Sequence, residues 1–464
     1  MTCMIEAQFF HPLIARVAQV AAERRMRVFL VGGAVRDVLL GRPLPKDLDF
    51  VVLDGPSKEL AEALGRVVPL DEAFGIYRVI AEDGFTLDLS DALNNDLMQD
   101  LSRRDLTVNA IAWDPAARRY VDYTGGRKDL AARRVKMVSA HNLLDDPLRL
   151  LRVFRTGAHL PALDWDAATL ATVKAHGPQL WNAAAERIAY ELLRLLDAPN
   201  CFDALQKMAE SGLLEVVVPE MTPMHTVPAN GHHHLGLFDH TLELVNQAEQ
   251  LLHQLPETVQ AAVTAPFNAA ISRGAITKLA CLLHDIGKPQ TMQTHEDSRT
   301  TYYGHDAVSE ELSKAVTARL KLSTDASLLT LKLVRWHLYP CQFGPQSPRK
   351  SVLRFYRRMG ADTLDVLWLA LADRFSTRGD GITEAALEAS FEQHVWLMEN
   401  YLAEQANLKQ PPLLNGHQIM QLLNTGPGPH LKPLLEGLQE AQQLGEVTSQ
   451  EAAEAWVREH ASNA

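Results

Sequence analysis

Cysteine is scarce in this chain of 464 residues: Cys3, Cys201, Cys281 and Cys341 are the four, and none stands at a metal-ligand spacing from another. A disulfide framework and a zinc knuckle are thereby excluded, and plain thiols are expected. No run approaches about 18 uninterrupted apolar residues, which excludes a helical membrane span. The amino-terminal segment lacks a charged region followed by an apolar stretch and a cleavage site, so a cytoplasmic protein with no membrane partner is expected. Positive charge is short as well. With 45 Lys and Arg against 57 Asp and Glu the net charge is −12, the reverse of the basic footprint that phosphate binding normally leaves. Internal repeats and low-complexity tracts are absent.

What remains is ordinary for a folded protein, with 47% hydrophobic and 22% charged residues and a length that suggests about three or four domains. The charge is uneven. Residues 1–200 hold 25 Lys and Arg against 27 Asp and Glu, whereas 101–160 hold 12 against 6. Either a solvated surface or an anion-binding face would give that count.

Four regions follow from the pattern. Residues 1–140 alternate short apolar runs (Val28–Val31, Phe50–Leu53, Tyr77–Ile80, Thr86–Leu89, Val108–Trp113) with amphipathic helices such as Leu13–Glu23 and Lys58–Leu64, which predicts an α+β head with a mixed sheet. Residues 141–225 read as an all-helical neck, 226–380 as a His-rich helical domain, and 381–464 as a helical C-terminal region.

The most informative segment is Val28 to Val52. A strand ending at Gly32-Gly33, followed by a helix from Ala34 that carries Arg36, offers backbone N–H groups and a guanidinium to phosphate oxygens. Asp47 and Asp49, two residues apart on the next strand, share one face and suit Mg²⁺. A D-x-D at a strand end is common. The whole run, however, with G-G-x-V-R-D-x-L-L-G-R over Gly32–Arg42 and then D-x-D, resembles the head motif of bacterial tRNA CCA-adding enzymes and poly(A) polymerases, the nucleotidyltransferases that extend RNA 3′ ends. Two further segments carry the same resemblance. In Arg103-Arg104-Asp105-Leu-Thr-Val-Asn109-Ala110 it implies that Arg104, Asp105 and Asn109 hold sugar and phosphate of the incoming nucleotide; a solvated surface run is the plain alternative. In Asp145-Asp146-Pro-Leu-Arg149-Leu-Leu-Arg152-Val-Phe-Arg155 it implies that Asp146 and Arg149, with Arg152 beyond, form a protein template for CTP or ATP. Asp146 is otherwise a helix N-cap, with Pro147 as the first helical residue. A carboxylate accepting from the exocyclic amine and a guanidinium donating to the ring acceptor suit cytosine and adenine alike. Asp88 falls on the strand where the superfamily places a third carboxylate, and a strand-edge Asp is the other reading.

One departure stands out. Complete CCA-adding members carry a long flexible loop between the third-carboxylate strand and R-R-D, needed to reshape the pocket from C to A. Here only Leu89–Ser102 lie between Asp88 and Arg103. A shorter lever favours addition of CC, with A left to a separate enzyme.

The His-rich region carries its own chemistry. His284-Asp285, in Leu-Leu-His-Asp-Ile-Gly-Lys288, resembles the paired motif of HD-type phosphohydrolases, with His240 upstream and Asp373 downstream, and with His305 and His337 where a second metal would find ligands. Imidazoles with carboxylates suit Mn²⁺, Ni²⁺, Fe²⁺ or Mg²⁺. If active, such a site hydrolyses a phosphoester, such as a 2′,3′-cyclic phosphate or phosphomonoester at an RNA end. The triplet His232-His233-His234 reads as the approach to His240.

The resemblance thus implies in-line transfer from CTP or ATP to the tRNA 3′-hydroxyl with Mg²⁺ on Asp47 and Asp49, and with the neck and C-terminal helices gripping the acceptor–TΨC arm by shape. Poly(A) polymerase activity is disfavoured because the L-V-G-R-R-F-like element after D-x-D is missing. An HD hydrolase with a decayed head, or a noncatalytic RNA-binding module, is disfavoured by the intact head motifs.

Overall fold

The computed structural model describes residues 9, 11–72, 75–81, 84–160, 162, 164–229, 234–296, 300–378 and 382–461. Cys3, His232 and His233 lie outside them. The chain divides into two compact units, Met1–Pro219 and Glu220–Ala464, so the head and residues 141–219 of the neck fall in the first, and residues 220–225 with the other two regions in the second.

The first unit is built on a seven-stranded mixed sheet of order β3-β4-β5-β2-β1-β6-β7. Helix α1 (Pro12–Glu23), started by Pro12 and capped by the His11 ring, leads into β1 (Arg27–Val31). Four of the five β1 residues are apolar and buried. The strand stops at Gly32, whose φ of +75° is strained for any residue with a Cβ. There α2 (Gly33–Leu39) begins, and Pro43 and Pro45 carry the chain in an extended loop to β2 (Asp47–Leu53). Asp47 and Asp49 face out while Leu48 and Phe50 are buried, so period-two alternation sets both acids on one face. Helix α3 (Ser57–Leu64), β3 (Arg66–Asp71), β4 (Ile76–Ile80) and β5 (Thr86–Asp91) follow, and β5 pairs parallel with β2 so that Asp49 stands opposite Asp88.

Helix α4 (Leu97–Ser102) then packs Leu97 and Leu101 onto Phe29, Val31, Val51 and Leu53, one face of the sheet. Each such side chain taken wholly out of water contributes about 1.5–3 kcal/mol. The strand expected over Val108–Trp113 is shorter: Thr107–Asn109 is a 3₁₀ turn and β6 covers Ala112–Asp114, paired with β7 (Arg119–Val121). The buried Asn109 side chain bonds across to Arg36 and Asp105, and those bonds take the backbone out of extended form. The remaining helices of this unit are α5 (Gly126–Ala131), α6 (Ala140–Asp145), α7 (Leu148–His159), α8 (Ala167–His176), α9 (Ala185–Leu196), α10 (Cys201–Glu210) and α11 (Leu213–Val217), and a short parallel pair, β8 (Arg134–Val135) with β9 (Asp164–Trp165), interrupts the stretch expected to be helical throughout. Helix α7 buries Leu150, Leu151, Val153 and Phe154, leaving Arg149, Arg152 and Arg155 on the opposite face at a spacing of three.

Among its described residues the second unit is helical apart from a short pairing of residues 293–294 with 300–301 and a single bridge between Pro266 and Ser272. Its helices are α12 (Leu237–Leu252), α13 (Glu257–Val263), α14 (Arg273–Leu283), α15 (Lys288–Thr291), α16 (His305–Arg319), α17 (Thr324–Trp336), α18 (Arg349–Met359), α19 (Thr363–Ser376) and α20 (Glu384–Leu408). The buried Trp368 of α19 ties it to α12 by donating to the Ala248 carbonyl at 3.0 Å. Three last helices, α21 (Gly416–Leu423), α22 (Leu431–Leu444) and α23 (Gln450–His460), enclose a core of Ile419, Leu434, Leu438 and Val457. The fold class is α+β, in agreement with the sequence pattern. Among the described residues no helix is long and apolar enough to cross a membrane, and Cys201, Cys281 and Cys341 are free thiols.

Candidate active site

A cavity of about 510 Å³ opens in the first unit where β1, β2, the R-R-D turn and α7 meet. Gly32, Gly33, Arg36, Asp49, Arg104, Asp105, Asn109, Asp146, Arg149 and Arg152 all line it. Arg103, Arg155 and Asp100 line it as well. Five of the twelve cations in 101–160 therefore face one anion-sized cleft, and the solvated-surface reading of that stretch does not hold for them. A Cβ at Gly32 would come within 3.2 Å of Arg104 Nη1 and 3.6 Å of Asp49 Oδ2, so the glycine is also what lets guanidinium and carboxylate close on the backbone turn.

The cations are held by a continuous polar network. Arg36 donates to Asn109 Oδ1 at 2.7 Å and forks onto Asp37. Asn109 donates to Asp105 at 3.1 Å, and Arg152 donates to the other Asp105 oxygen at 2.8 Å. Burial alone would raise the pKa of Asp105, but Arg152, the Asn109 amide and the Leu106 N–H outweigh it and hold the carboxyl well below its usual range. Asp105 is only 4% exposed, which rules out a solvated Arg-Arg-Asp run. Asp100, one turn upstream, accepts from Arg103 at 2.8 Å and from Arg104 at 3.3 Å. Its signal in the sequence was the helical spacing of three and four to those arginines.

The acids differ from one another. Asp49 lines the cavity, and crowding against protein atoms pushes its pKa up to about 6; Arg104 opposes that shift while Asp88 and Asp47 add to it. Asp47 is outside the cavity lining and accepts from the Thr86 hydroxyl. Asp88 is gripped by Arg78 on β4, both of whose bonds to the carboxylate are 2.7 Å long. Carboxylates this close repel, and Arg78 compensates them while no cation lies between them. Asp47 and Asp49 fit a Mg²⁺ pair of ligands: among the described residues neither is tied up in an ion pair, although Arg104 lies near Asp49, and each offers oxygen only. Asp88 joins them only by leaving Arg78.

At the far wall, Asp146 accepts from the Leu148 N–H at 3.2 Å and from Arg187 of α9 at 2.9 Å. It is thus a cavity residue that also bonds the first helical N–H from one position outside the cap: Pro147 is the N-cap of α7, so neither the expected N-cap at Asp146 nor the expected first helical position of Pro147 holds. Arg149 Nη1 donates to the carbonyls of Arg103 (2.9 Å) and Asn142 (2.8 Å). Asn142 in turn donates to Ser102 and Arg104 carbonyls at 2.7 and 2.8 Å. One edge of the guanidinium is therefore fixed to the R-R-D turn, and the rest of the fork is left to donate into the cleft. Arg187 and Asn142 carried no signal in the sequence, because their partners lie some forty residues away.

The second unit gathers the six His and Asp candidates separately. His240 comes from α12, His284 and Asp285 from the end of α14, His305 from the start of α16, His337 from the end of α17 and Asp373 from α19. His240 Nε2 is 3.2 Å and His284 Nε2 3.7 Å from Asp373; His284 and His305 lie 3.1 Å from Asp285 and His337 3.8 Å. Three of the rings are set by their backs: Nδ1 of His284, His305 and His337 donates to the carbonyls of Cys281, Tyr302 and Val334 at 2.7–2.8 Å. Each Nε2 is then a lone pair aimed inward, and these buried nitrogens have no well-formed hydrogen bond. Ligand atoms of three overlapping trios lie within 4.8 Å of one another. This donor set fits a divalent cation. Without one, burial disfavours a charged His284, yet Asp285 and Asp373 pull its pKa up to about 10, while burial and His284 push His337 down to about 4.

Comparison with known proteins gives three matched families along the chain: the poly A polymerase head domain over residues 28–136, the probable RNA and SrmB-binding site of polymerase A over 163–224, and the HD domain over 237–378. The A-adding tRNA nucleotidyltransferase of Deinococcus radiodurans is 35% identical over 443 residues, covering 92% of this chain and 94% of the relative. The CC-adding enzyme of Thermus thermophilus is also 35% identical, over 445 residues and 92% of both chains. The crystal structure of the Bacillus stearothermophilus CCA-adding enzyme in complex with CTP shares the fold, with a TM-score of 0.67 at 20% identity over 98% of each chain. With a cleft lined by arginines and this similarity along nearly its whole length, the chain belongs to the tRNA nucleotidyltransferase family and is an enzyme of that class.

Proposed function

We propose that this enzyme adds C, as CC, to the tRNA 3′ end from CTP with no nucleic-acid template, and that the terminal A comes from a separate ATP-using enzyme in the cytoplasm. The observation that carries the C-only reading is the connector between β5 and the R-R-D turn. It is short and pinned: Asn94 and Asn95 both adopt left-handed backbone, Asn95 exchanges hydrogen bonds with Asp54 at 2.7 and 3.2 Å, and Asp96 caps α4 through Met98 and Gln99. A pocket hinged on such a segment has no lever for changing shape between bases. The A-adding and CC-adding relatives are both 35% identical to this chain, so the C-only reading is supported by the connector alone.

In this reading Asp47 and Asp49 hold Mg²⁺, which supplies Lewis-acid stabilisation of the α-phosphate and the pyrophosphate leaving group when bound. The Gly32-Gly33 turn and Arg36 steady the triphosphate. Arg104, Asp105 and Asn109 orient sugar and phosphate, with Arg152 fixing Asp105. Asp146 accepts from the cytosine amine and Arg149 donates to its ring acceptors, so a uracil edge meets a carboxylate with a carbonyl and leaves it unpaired. Asp88 assists the 3′-hydroxyl once Arg78 releases it. The test is incubation with tRNA ending at the discriminator base and CTP alone, ATP alone, then both. Two C additions and no A support the proposal; A addition to a CC end, or a long A tract, defeats it.

A second activity is supported by the inward-facing imidazoles of the second unit. His240, His284, Asp285, His305, His337 and Asp373 would hold Mn²⁺, Ni²⁺, Fe²⁺ or Mg²⁺, which when bound supplies charge for hydrolysis of a phosphoester at an RNA end. Release of phosphate from RNA bearing a 2′,3′-cyclic or 3′ phosphate, lost in Asp285→Asn, is the measurement.

A further inference from the structure

The second unit is acidic overall, with 19 Lys and Arg against 27 Asp and Glu over 220–464. Yet α18 packs Arg349, Lys350, Arg354, Arg357 and Arg358 into eleven residues with no acid among them. Its other face is buried through Val352, Leu353, Phe355, Tyr356 and Met359, so burial drives all five cations to one side. Like charges at helical neighbour positions destabilise a helix, and what opposes them here is sparse. Lys350, Arg354 and Arg357 all converge on a single carboxylate, Glu440, at 2.9–3.5 Å, and Arg349 meets Glu404 at 2.8 Å.

Arg358 is exposed and its guanidinium lies over aromatic faces instead, 4.7 Å from the Trp336 ring and 5.7 Å from that of Tyr339. Between α18 and α22 runs an open groove of about 800 Å³ with Arg354, Arg357 and Arg358 on one wall and Glu436 and Glu440 on the other. From Arg349 to Arg358 the line of charge extends about 14 Å along the helix axis. That length spans more than one phosphate, and a guanidinium held over aromatic rings is ordered in advance of its ligand.

We propose that α18 and the Arg358–Trp336 stack form a phosphate-backbone docking face for the body of the tRNA, reading shape and charge rather than sequence. The inference rests on tRNA being the substrate. A polyanion recruits these residues by releasing counterions, so binding through them is salt-dependent. An RNA duplex fits better than an acidic polypeptide because the cations follow a rigid line and carry planar donors suited to phosphate.

The test uses the full-length protein and a tRNA transcript lacking its 3′ end, with the dissociation constant measured across 50–250 mM KCl. Loss of two phosphate contacts in the Arg354→Gln/Arg358→Gln variant is expected to lower the slope of log K against log salt by about 2 and to weaken binding roughly tenfold at 0.15 M. Arg349→Gln/Lys350→Gln provides a second, independent reading of the same helix, with the same direction expected. Lys314→Gln, which removes an exposed cation of α16, is expected to leave both numbers unchanged. Unchanged slopes in both double variants, or a loss of affinity for poly-glutamate in place of tRNA, would overturn the inference. If the unaltered protein adds no C to tRNA, the functional proposal fails; if it does and the slopes stay the same, only the docking face fails.

Discussion

Asn95 and Asp54 hold each other twice, the Asp54 N–H donating to Asn95 Oδ1 at 2.7 Å and the Asn95 amide donating to Asp54 Oδ1 at 3.2 Å. Arg27 closes the set by reaching the same carboxylate. Asn95 sits at a φ of +54°. Asn95→Ala removes the bonds and puts an ordinary Cβ in left-handed backbone, whereas Asn95→Gly removes the bonds alone. Urea unfolding is expected to show a loss of about 2 kcal/mol for the alanine variant and about 1 for glycine. Equal losses would mean the backbone conformation carries no cost.

Arg149 is braced on the backbone of Arg103 and Asn142 through one nitrogen. Arg149→Ala is expected to lower the ratio of kcat/KM for CTP over UTP by about 100-fold, the scale of a lost bidentate contact, with a much smaller effect on thermal stability. Arg149→Lys does not restore the ratio, because a point ammonium cannot donate in a planar fork. An unchanged preference in Arg149→Ala would remove the base-reading role.

For Asp49 the sign of the pH effect is fixed by its raised pKa, from 3.8 to about 6. The folded protein holds that proton more tightly than the unfolded chain, so the stability associated with it is complete below about pH 4 and is lost as the pH rises through 6. Asp49→Asn is therefore expected to be inactive yet more heat-stable than the unaltered protein at pH 7 in the absence of divalent metal, and no more stable at pH 4. Asp88→Asn, whose partner Arg78 already neutralises it, is expected to cost far less activity. The two assays, melting and CTP incorporation, separate the carboxylates.

Asp105 has the opposite sign. Its pKa is depressed, so its contribution is present above pH 4 and lost as the pH falls toward a value well below that. Asp105→Asn leaves the half-buried Arg152 without its bonded carboxylate and, with solvent screening part of the loss, is expected to cost about 2 kcal/mol at pH 7. Asp105→Asn/Arg152→Met is expected to regain most of that stability without regaining nucleotide binding, read by denaturation and by CTP titration.

In the second unit, removal of divalent metal with a chelator is expected to lower the melting temperature, and added Mn²⁺ or Ni²⁺ to restore it. His337→Ala is expected to weaken metal affinity by at least 10-fold in a calorimetric titration. Failure of any divalent ion to bind the unaltered protein would remove the metal reading of these six residues.

Local chemistry made much of this legible in advance. The strand at Val28–Val31, the glycine turn, the paired acids of β2 and the ordered His and Asp residues are short-range patterns, and backbone periodicity turns such patterns directly into faces. The apolar run Val108 to Trp113 predicts strand where the 3₁₀ turn takes up Val108 and Asn109. The turn's shape is set by Arg36, 73 residues upstream, whose bond to Asn109 no local window contains.

By itself, then, the amino-acid order determined which side chains could do chemistry and which face of its own element each would occupy. Tertiary structure alone decided their company: that Arg78 neutralises Asp88, that Arg187 meets Asp146, that Asn95 fastens the connector to Asp54, and that the cations of α18 converge on Glu440. Side-chain periodicity is a property of consecutive residues, while Coulombic pairing falls off with distance through space and takes no account of separation along the chain.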